Sequence, residues 1–136
     1  MITEDFVSFK VAKLLEERGF DEECQMAWCY APNKMNSEYL LRHLDCKNST
    51  LKEYNSSDTD YAIAAPTLQM TSKWLRVVHK IDLCVLPCHY DYCLHGYECK
   101  IYKNKELICS LIEFKAPEEA MNAALLLVLN KDNNII

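Results

Sequence analysis

The sequence predicts an α+β domain: a mostly antiparallel sheet of about four strands covered by three helices, in the order α-β-(loop)-α-β-β-β-α. Three observations carry that expectation. Two segments place apolar residues at helical spacing behind a hydroxyl N-cap, at Ser8 and at Thr67. Cys24–Tyr30 alternates like a strand, and Asn104-Lys105 separates two apolar runs as a hairpin turn does. Ala120–Leu129 is apolar apart from Asn122, which suits a buried helix. With 136 residues, 50% hydrophobic and 26% charged, the chain has the length of a single domain, 1–136, and the balance of a globular protein. Two Gly and four Pro argue against a loop-dominated scaffold.

Each element follows from local chemistry. Ser8 caps a first helix with Phe9, Val11, Ala12, Leu14 and Leu15 on its apolar side, and Gly19 stops it. In the strand that follows, Cys24, Met26, Trp28 and Tyr30 share one face and Gln25, Ala27 and Cys29 the other, until Pro32 and Asn33 end it. From about 33 to 60 the chain is polar and weakly patterned, and is expected to be a flexible insertion, with a short helical turn around Ser37 to Leu44 as its one candidate element. Asn48-Ser49-Thr50 and Asn55-Ser56-Ser57 match the glycosylation triplet and are read as chance matches within that loop.

Thr67 then caps a second helix whose stripe is Leu68, Thr71, Trp74, Leu75 and Val78. Ile81–Leu86 reads as a strand stopped by Pro87, with Cys88 to Gly96 as a connection. Tyr97–Lys103 and Glu106–Phe114 form a hairpin, and Pro117 opens the last helix with Glu118 and Glu119 at its positive end. The tail from Asn130 is expected to fray.

Charge narrows the function classes. The net charge is −5 and no run of Lys or Arg supplies the basic footprint that phosphate binding needs, so nucleic acid is not an expected partner. No apolar stretch reaches the roughly 20 residues that cross a bilayer, so no membrane partner is expected. The opening Met1-Ile2-Thr3-Glu4-Asp5 is acidic where a secretory signal is basic, which predicts a cytoplasmic protein with reduced thiols.

The densest chemistry is in Cys84, Cys88, Cys93 and Cys99 with His89 and His95. A two-residue hairpin loop pairing Lys103 with Glu106 sets Cys99 opposite Ser110 and Cys109 opposite Lys100. Cys99 then shares the apolar face with Tyr97, Ile101, Ile108 and Ile112, while Cys109 turns away with Tyr102 and Leu107. That leaves Cys88, His89, Cys93 and His95 as the candidate metal ligands, for zinc, although zinc sites usually donate close C-x2-C pairs and none occurs here. Small semi-buried thiols that pack as weak hydrophobes are the simpler reading. A thiol-dependent enzyme or small-molecule binder would use Cys93 with His95 as base, but no Gly-rich turn supplies an oxyanion hole, so no catalytic or cofactor-binding residue is assigned. Tyr90, Tyr92, Tyr97 and Tyr102 are candidate contact anchors for a partner.

Ser8-Phe9-Lys10-Val11-Ala12 leading to Gly19-Phe20-Asp21-Glu22, and Ala65-Pro66-Thr67-Leu68-Gln69-Met70 leading to Trp74-Leu75-Arg76, resemble a family of small proteins of unknown function from gut Bacteroidetes, their phages and mobile elements. Ile101-Tyr102-Lys103 and Glu118-Glu119-Ala120 are similar too. The resemblance spans most of the chain except about Pro32 to Asp60 and implies a phage or mobile-element origin and a bacterial cytoplasm. The expected function is a non-enzymatic accessory protein that binds a host or phage protein, or pairs with its own copy as a homodimer.

Overall fold

The structure is a computed structural model, and it describes residues 2–30, 39–57, 61–90 and 93–136, without the side chains of Tyr54, Ser56, Ser57, Tyr90 and Cys93. It is α+β, with four α-helices and two three-stranded antiparallel sheets among the described residues. No helix among these residues is long and apolar enough to cross a membrane. The chain divides into two compact units, Phe6–Pro66 and Met1–Asp5 with Thr67–Ile136.

The first unit holds α1 (Phe9–Glu17), β1 (Cys24–Tyr30), β2 (Tyr39–Cys46), α2 (Asn48–Ser57) and β3 (Tyr61–Ala64), with sheet order β2-β1-β3. Ser8 caps α1 as expected, its hydroxyl accepting from the Val11 N–H at 3.3 Å, and Val11, Ala12 and Leu15 are buried. Trp28 Nε1 donates to the Val7 carbonyl at 2.9 Å, and Val7 N–H donates to the Pro66 carbonyl at 3.0 Å, so both ends of the unit are tied to its middle.

Two expectations change here. A register shift between Cys24 and Met26 breaks the alternation of β1, so that Cys24 and Ala27, three positions apart, are both buried while Met26 and Trp28 are half-buried. The insertion expected at 33–60 contains β2 and α2, and the residues proposed for a helical turn at Ser37 to Leu44 form β2 from Tyr39 onward. Pairing supplies the reason: β2 meets β1 from Ala27↔Arg42 to Tyr30↔Tyr39, and the Tyr39 ring stacks on Phe9 at 3.7 Å. Cross-strand contacts outweigh a weak helical spacing. Residues 31–38 and 58–60 of that expected insertion lie outside the described residues.

α2 has few apolar residues of its own, and Leu51 is buried. It is fixed instead by hydrogen bonds. The Asp21 carboxylate accepts from the Ser49 N–H at 2.7 Å at the helix start, and those bonds hold the Asp21 carboxyl below its ordinary range. Asn48 donates from Nδ2 to the Phe20 carbonyl at 2.8 Å and accepts at Oδ1 from the Ala64 N–H at 3.1 Å. Two turns on, Asn55 accepts from the Ala62 N–H and donates to the Ala62 carbonyl, both at 2.9 Å.

The second unit holds α3 (Leu68–His79), β4 (Ile81–Tyr90), β5 (Cys93–Lys103), β6 (Glu106–Phe114), α4 (Pro117–Leu129) and a 3-10 turn (Lys131–Asn133), with sheet order β4-β5-β6. Thr67 caps α3, accepting from the Met70 N–H at 3.1 Å, and Thr71, Trp74 and Leu75 are buried. Val78 is not part of that stripe, being 53% exposed, because the packed side of α3 ends at Leu75 and the ring of His79 lies edge-on to Trp74. α4 packs across all three strands and buries Ala120, Ala124, Leu125, Val128 and Leu129 above Ile81, Cys99 and Ile101. The tail expected to fray is tied down: Asn133 Nδ2 donates to the Leu127 carbonyl at 2.8 Å, and Lys103 Nζ donates to the Ile135 carbonyl.

Candidate functional site

The second sheet positions the site residues expected from the sequence that are described, and its register decides what each can do. Asn104 N–H donates to the Lys80 carbonyl at 3.0 Å, in line with the Asp82↔Tyr102, Cys84↔Lys100 and Leu86↔Glu98 pairs. In an antiparallel ladder hydrogen-bonded pairs alternate with open ones, so the even-numbered residues of β5 here direct their main chain toward β4 and the odd-numbered ones toward β6. Pro87 pairs with Tyr97, an open pair on this count, so its missing N–H lies on the outer side of an edge strand and removes no ladder bond. This is why β4 runs through Pro87 to Tyr90 instead of stopping at Leu86.

The β5–β6 hairpin starts as expected, with Lys103↔Glu106 and Tyr102↔Leu107 around an Asn104-Lys105 turn in which both residues have positive φ (51° and 70°). The register then shifts between Ile101 and Tyr102, so Cys109 faces Ile101 and Leu111 faces Cys99. The expected Cys99–Ser110 and Cys109–Lys100 pairs are therefore replaced. One extra residue, Ile108, exchanges the faces: Cys109 shares the packed side with Cys99 and Ile101, whereas Ile108 and Ile112 are 44% and 54% exposed.

The loop expected to gather ligands is the far end of the β4–β5 ladder. Cys88 pairs with Gly96, His89 with Leu94 and Tyr90 with Cys93, and His95 is the extra residue where the register shifts. Cys88 is half-buried, and His89 and His95 are exposed. Consecutive strand positions alternate between faces, so Cys88 and His89 do not converge. The Cys93 side chain lies outside the described residues, and among those described no three His, Cys, Asp or Glu form a group that could hold a metal. Of the four tyrosines, Tyr97 takes the side of Cys99 and Ile101 while Tyr102 takes the opposite one; Tyr92 and the Tyr90 side chain lie outside the described residues.

Thiol electrostatics run against activation where a shift is resolved. Burial pushes Cys99 up to about 11, with Cys84 and Cys109 adding to the rise, and in the first unit burial pushes Cys24 up to about 12 and Cys46 to about 11. A nucleophilic thiolate needs the opposite shift.

Comparison with family models, with curated proteins and with solved structures returns no match.

Two surface features remain. An open pocket of about 520 Å³ lies in the second unit, where Asp5, Thr67, Lys73, Arg76 and Glu118 mix both signs of charge, and no Cys or His lines it. The other feature is the side of the sheet away from α4. Its rows across β4, β5 and β6 are Asp82, Tyr102 and Leu107, then Cys84, Lys100 and Ser110, and beyond them Leu86 pairs with Glu98. Charge occupies the middle of this face, and apolar exposure collects at β6, where Leu107 is 54% exposed. Alternation applied without the extra residue at Ile108 puts Ile108 and Ile112 on the packed side and so hides this strand's exposed side.

Proposed function

We propose that this chain is a non-enzymatic protein-binding module, of the accessory kind carried by phages and mobile elements and working in the bacterial cytoplasm, whose contact surface is the β6 side of the second sheet. The observation that supports it is the exposure of Leu107, Ile108 and Ile112 on one strand. Exposed apolar side chains on an edge strand invite another chain, because contact removes both apolar area and unpaired main chain from water.

The test compares the wild type with the double variant Leu107→Lys, Ile112→Lys, both sites being exposed and outside the core. The wild type is expected to bind a protein partner or its own copy, and the folded variant to lose that complex. Identical behaviour of the two, or no complex with either, overturns the reading.

A further inference from the structure

The open pocket of the second unit has walls of different chemistry. One stripe of α3 lines it, Gln69, Ser72, Lys73 and Arg76, at the i, i+3, i+4, i+7 spacing that shares a helix face. Glu118 and Met121 come from the first turns of α4, and Val85 reaches in from the packed side of β4, where it pairs with the buried Cys99. Glu4 and Asp5 complete the rim, and the Leu68 N–H fixes Asp5 there by donating to its carbonyl at 2.9 Å.

Charges of both signs thus surround one space without meeting. Among the described residues no ion pair joins Lys73 or Arg76 to Glu4, Asp5 or Glu118. A wholly anionic ligand would share this space with the carboxylates, and a wholly cationic one with Lys73 and Arg76, so the lining disfavours both. A molecule that carries one charge of each sign at separate ends meets both walls.

We propose that this pocket binds a free peptide of two or three residues, its carboxylate at Lys73 and Arg76 and its ammonium at Asp5 and Glu118. Between those ends the pocket offers what the rest of such a peptide needs. Gln69 and Ser72 can hydrogen-bond its amide, and half-buried Val85 and Met121 give an apolar side chain somewhere to rest. Length follows from the same separation. A single amino acid holds both charges on one carbon, whereas each further residue of an extended chain moves them apart by about 3.5 Å. The volume of about 520 Å³ falls within the range of small-ligand sites. Because the pocket is open and its charged side chains are exposed, the complex is a weak one. The site is separate from the exposed β6 residues and does not depend on the protein-binding reading.

Titration with leucyl-leucine, followed by amide NMR shifts, tests this. The wild type is expected to saturate with a Kd of about 1 mM, with shifts gathered at Ser72, Val85 and Met121. N-acetyl-leucyl-leucine lacks the ammonium, leucyl-leucine amide lacks the carboxylate, and free leucine lacks the separation; each is expected to bind about tenfold more weakly or worse. The double variant Lys73→Gln, Arg76→Gln changes two exposed positions, so it is expected to keep the thermal midpoint of the wild type and to bind leucyl-leucine about tenfold more weakly. Against leucyl-leucine amide the same variant is expected to lose little further, since the carboxylate those cations meet is already absent. No saturable shift up to about 10 mM overturns the proposal, as does equal binding of the dipeptide and either blocked analogue, or of the dipeptide and free leucine. Undiminished binding by the folded variant overturns it too, and the analogue series on the wild type decides the matter if the variant does not fold. Loss of partner binding in the Leu107→Lys, Ile112→Lys variant with unchanged dipeptide titration would keep the two readings apart.

Discussion

Asn55 offers its side-chain amide to the main chain of Ala62 as a neighbouring strand would, accepting from the N–H and donating to the C=O at 2.9 Å each. A carboxamide has the donor and acceptor geometry of a peptide group, so one side chain closes an edge that otherwise needs another strand. Ala62 is buried, which makes both bonds costly to lose.

Asn55→Leu leaves the N–H and C=O of Ala62 without this partner. The expected destabilisation is about 2–6 kcal/mol, from two buried groups at about 1–3 each. Chemical denaturation measures it, and a change below about 0.5 kcal/mol would show that water replaces the amide at no cost.

Asn48→Asp tests the second bridge between α2 and its surroundings. The carboxylate keeps the bond from the Ala64 N–H but turns an oxygen toward the Phe20 carbonyl where Nδ2 donated. A buried unpaired charge costs about 3 kcal/mol or more. The introduced carboxyl has its pKa raised in the folded state, so the protonated form is favoured there; the loss of stability is smallest below about pH 4 and grows as pH rises. Denaturation midpoints relative to wild type at pH 4 and pH 7 check the sign, and an equal deficit at both would exclude the charge as its cause.

What the sequence made legible was local. Ser8 and Thr67 signal the starts of α1 and α3 through their own hydroxyls, and Asn104-Lys105 signals its turn through residues able to take positive φ. α2 was not legible because Asn48 and Asn55 hold it through partners on β3 and at Phe20, and an asparagine carries no mark of which distant main chain it will meet. Pro87 misled because a proline is excluded only from the bonded side of a strand, and the side depends on a register fixed elsewhere. The candidate site was lost to a single residue: nothing in Leu107-Ile108-Cys109 announces an extra position, yet it turns Cys109 inward and leaves Ile112 exposed.

The thiols should label in two classes. Cys24, Cys46 and Cys99 are buried with raised pKa values, while Cys29, Cys84, Cys88 and Cys109 are half-buried. Alkylation followed by mass mapping is expected to modify the second set first and the three buried thiols only on unfolding. Fast labelling of Cys24 or Cys46 in the native protein would contradict their burial.

Alkaline pH should weaken the first unit through Cys24 and Cys46, which face each other across β1 and β2. Their ordinary value is 9.0, and burial raises them to about 12 and about 11. The folded state therefore favours the neutral thiols: their contribution is present in full below the ordinary value and lost as pH climbs from there through the raised values. Cys46→Ala removes one of these groups and is expected to show a smaller fall in denaturation midpoint between pH 8 and pH 10 than the wild type. Equal slopes for the two chains would assign the alkaline loss to other groups.

Gly96 is required at its position on two counts. Its φ is 125°, outside the range that side chains tolerate, and a Cβ there would stand 2.5 Å from the Phe114 carbonyl oxygen, a main-chain atom with little freedom to move. Gly96→Ala must therefore shift β5 away from the end of β6 or rotate the backbone into a new conformation. The expected destabilisation is about 1–3 kcal/mol from the backbone conformation alone, with the clash adding to it. Cys88 and His89 flank the register shift opposite this glycine, so amide exchange should accelerate there and at Phe114 before it does at Ile81 or Ile101, deep in the same sheet. An alanine variant with wild-type stability and unchanged exchange at Phe114 would show that the close approach of the two strands is not a feature of the folded chain.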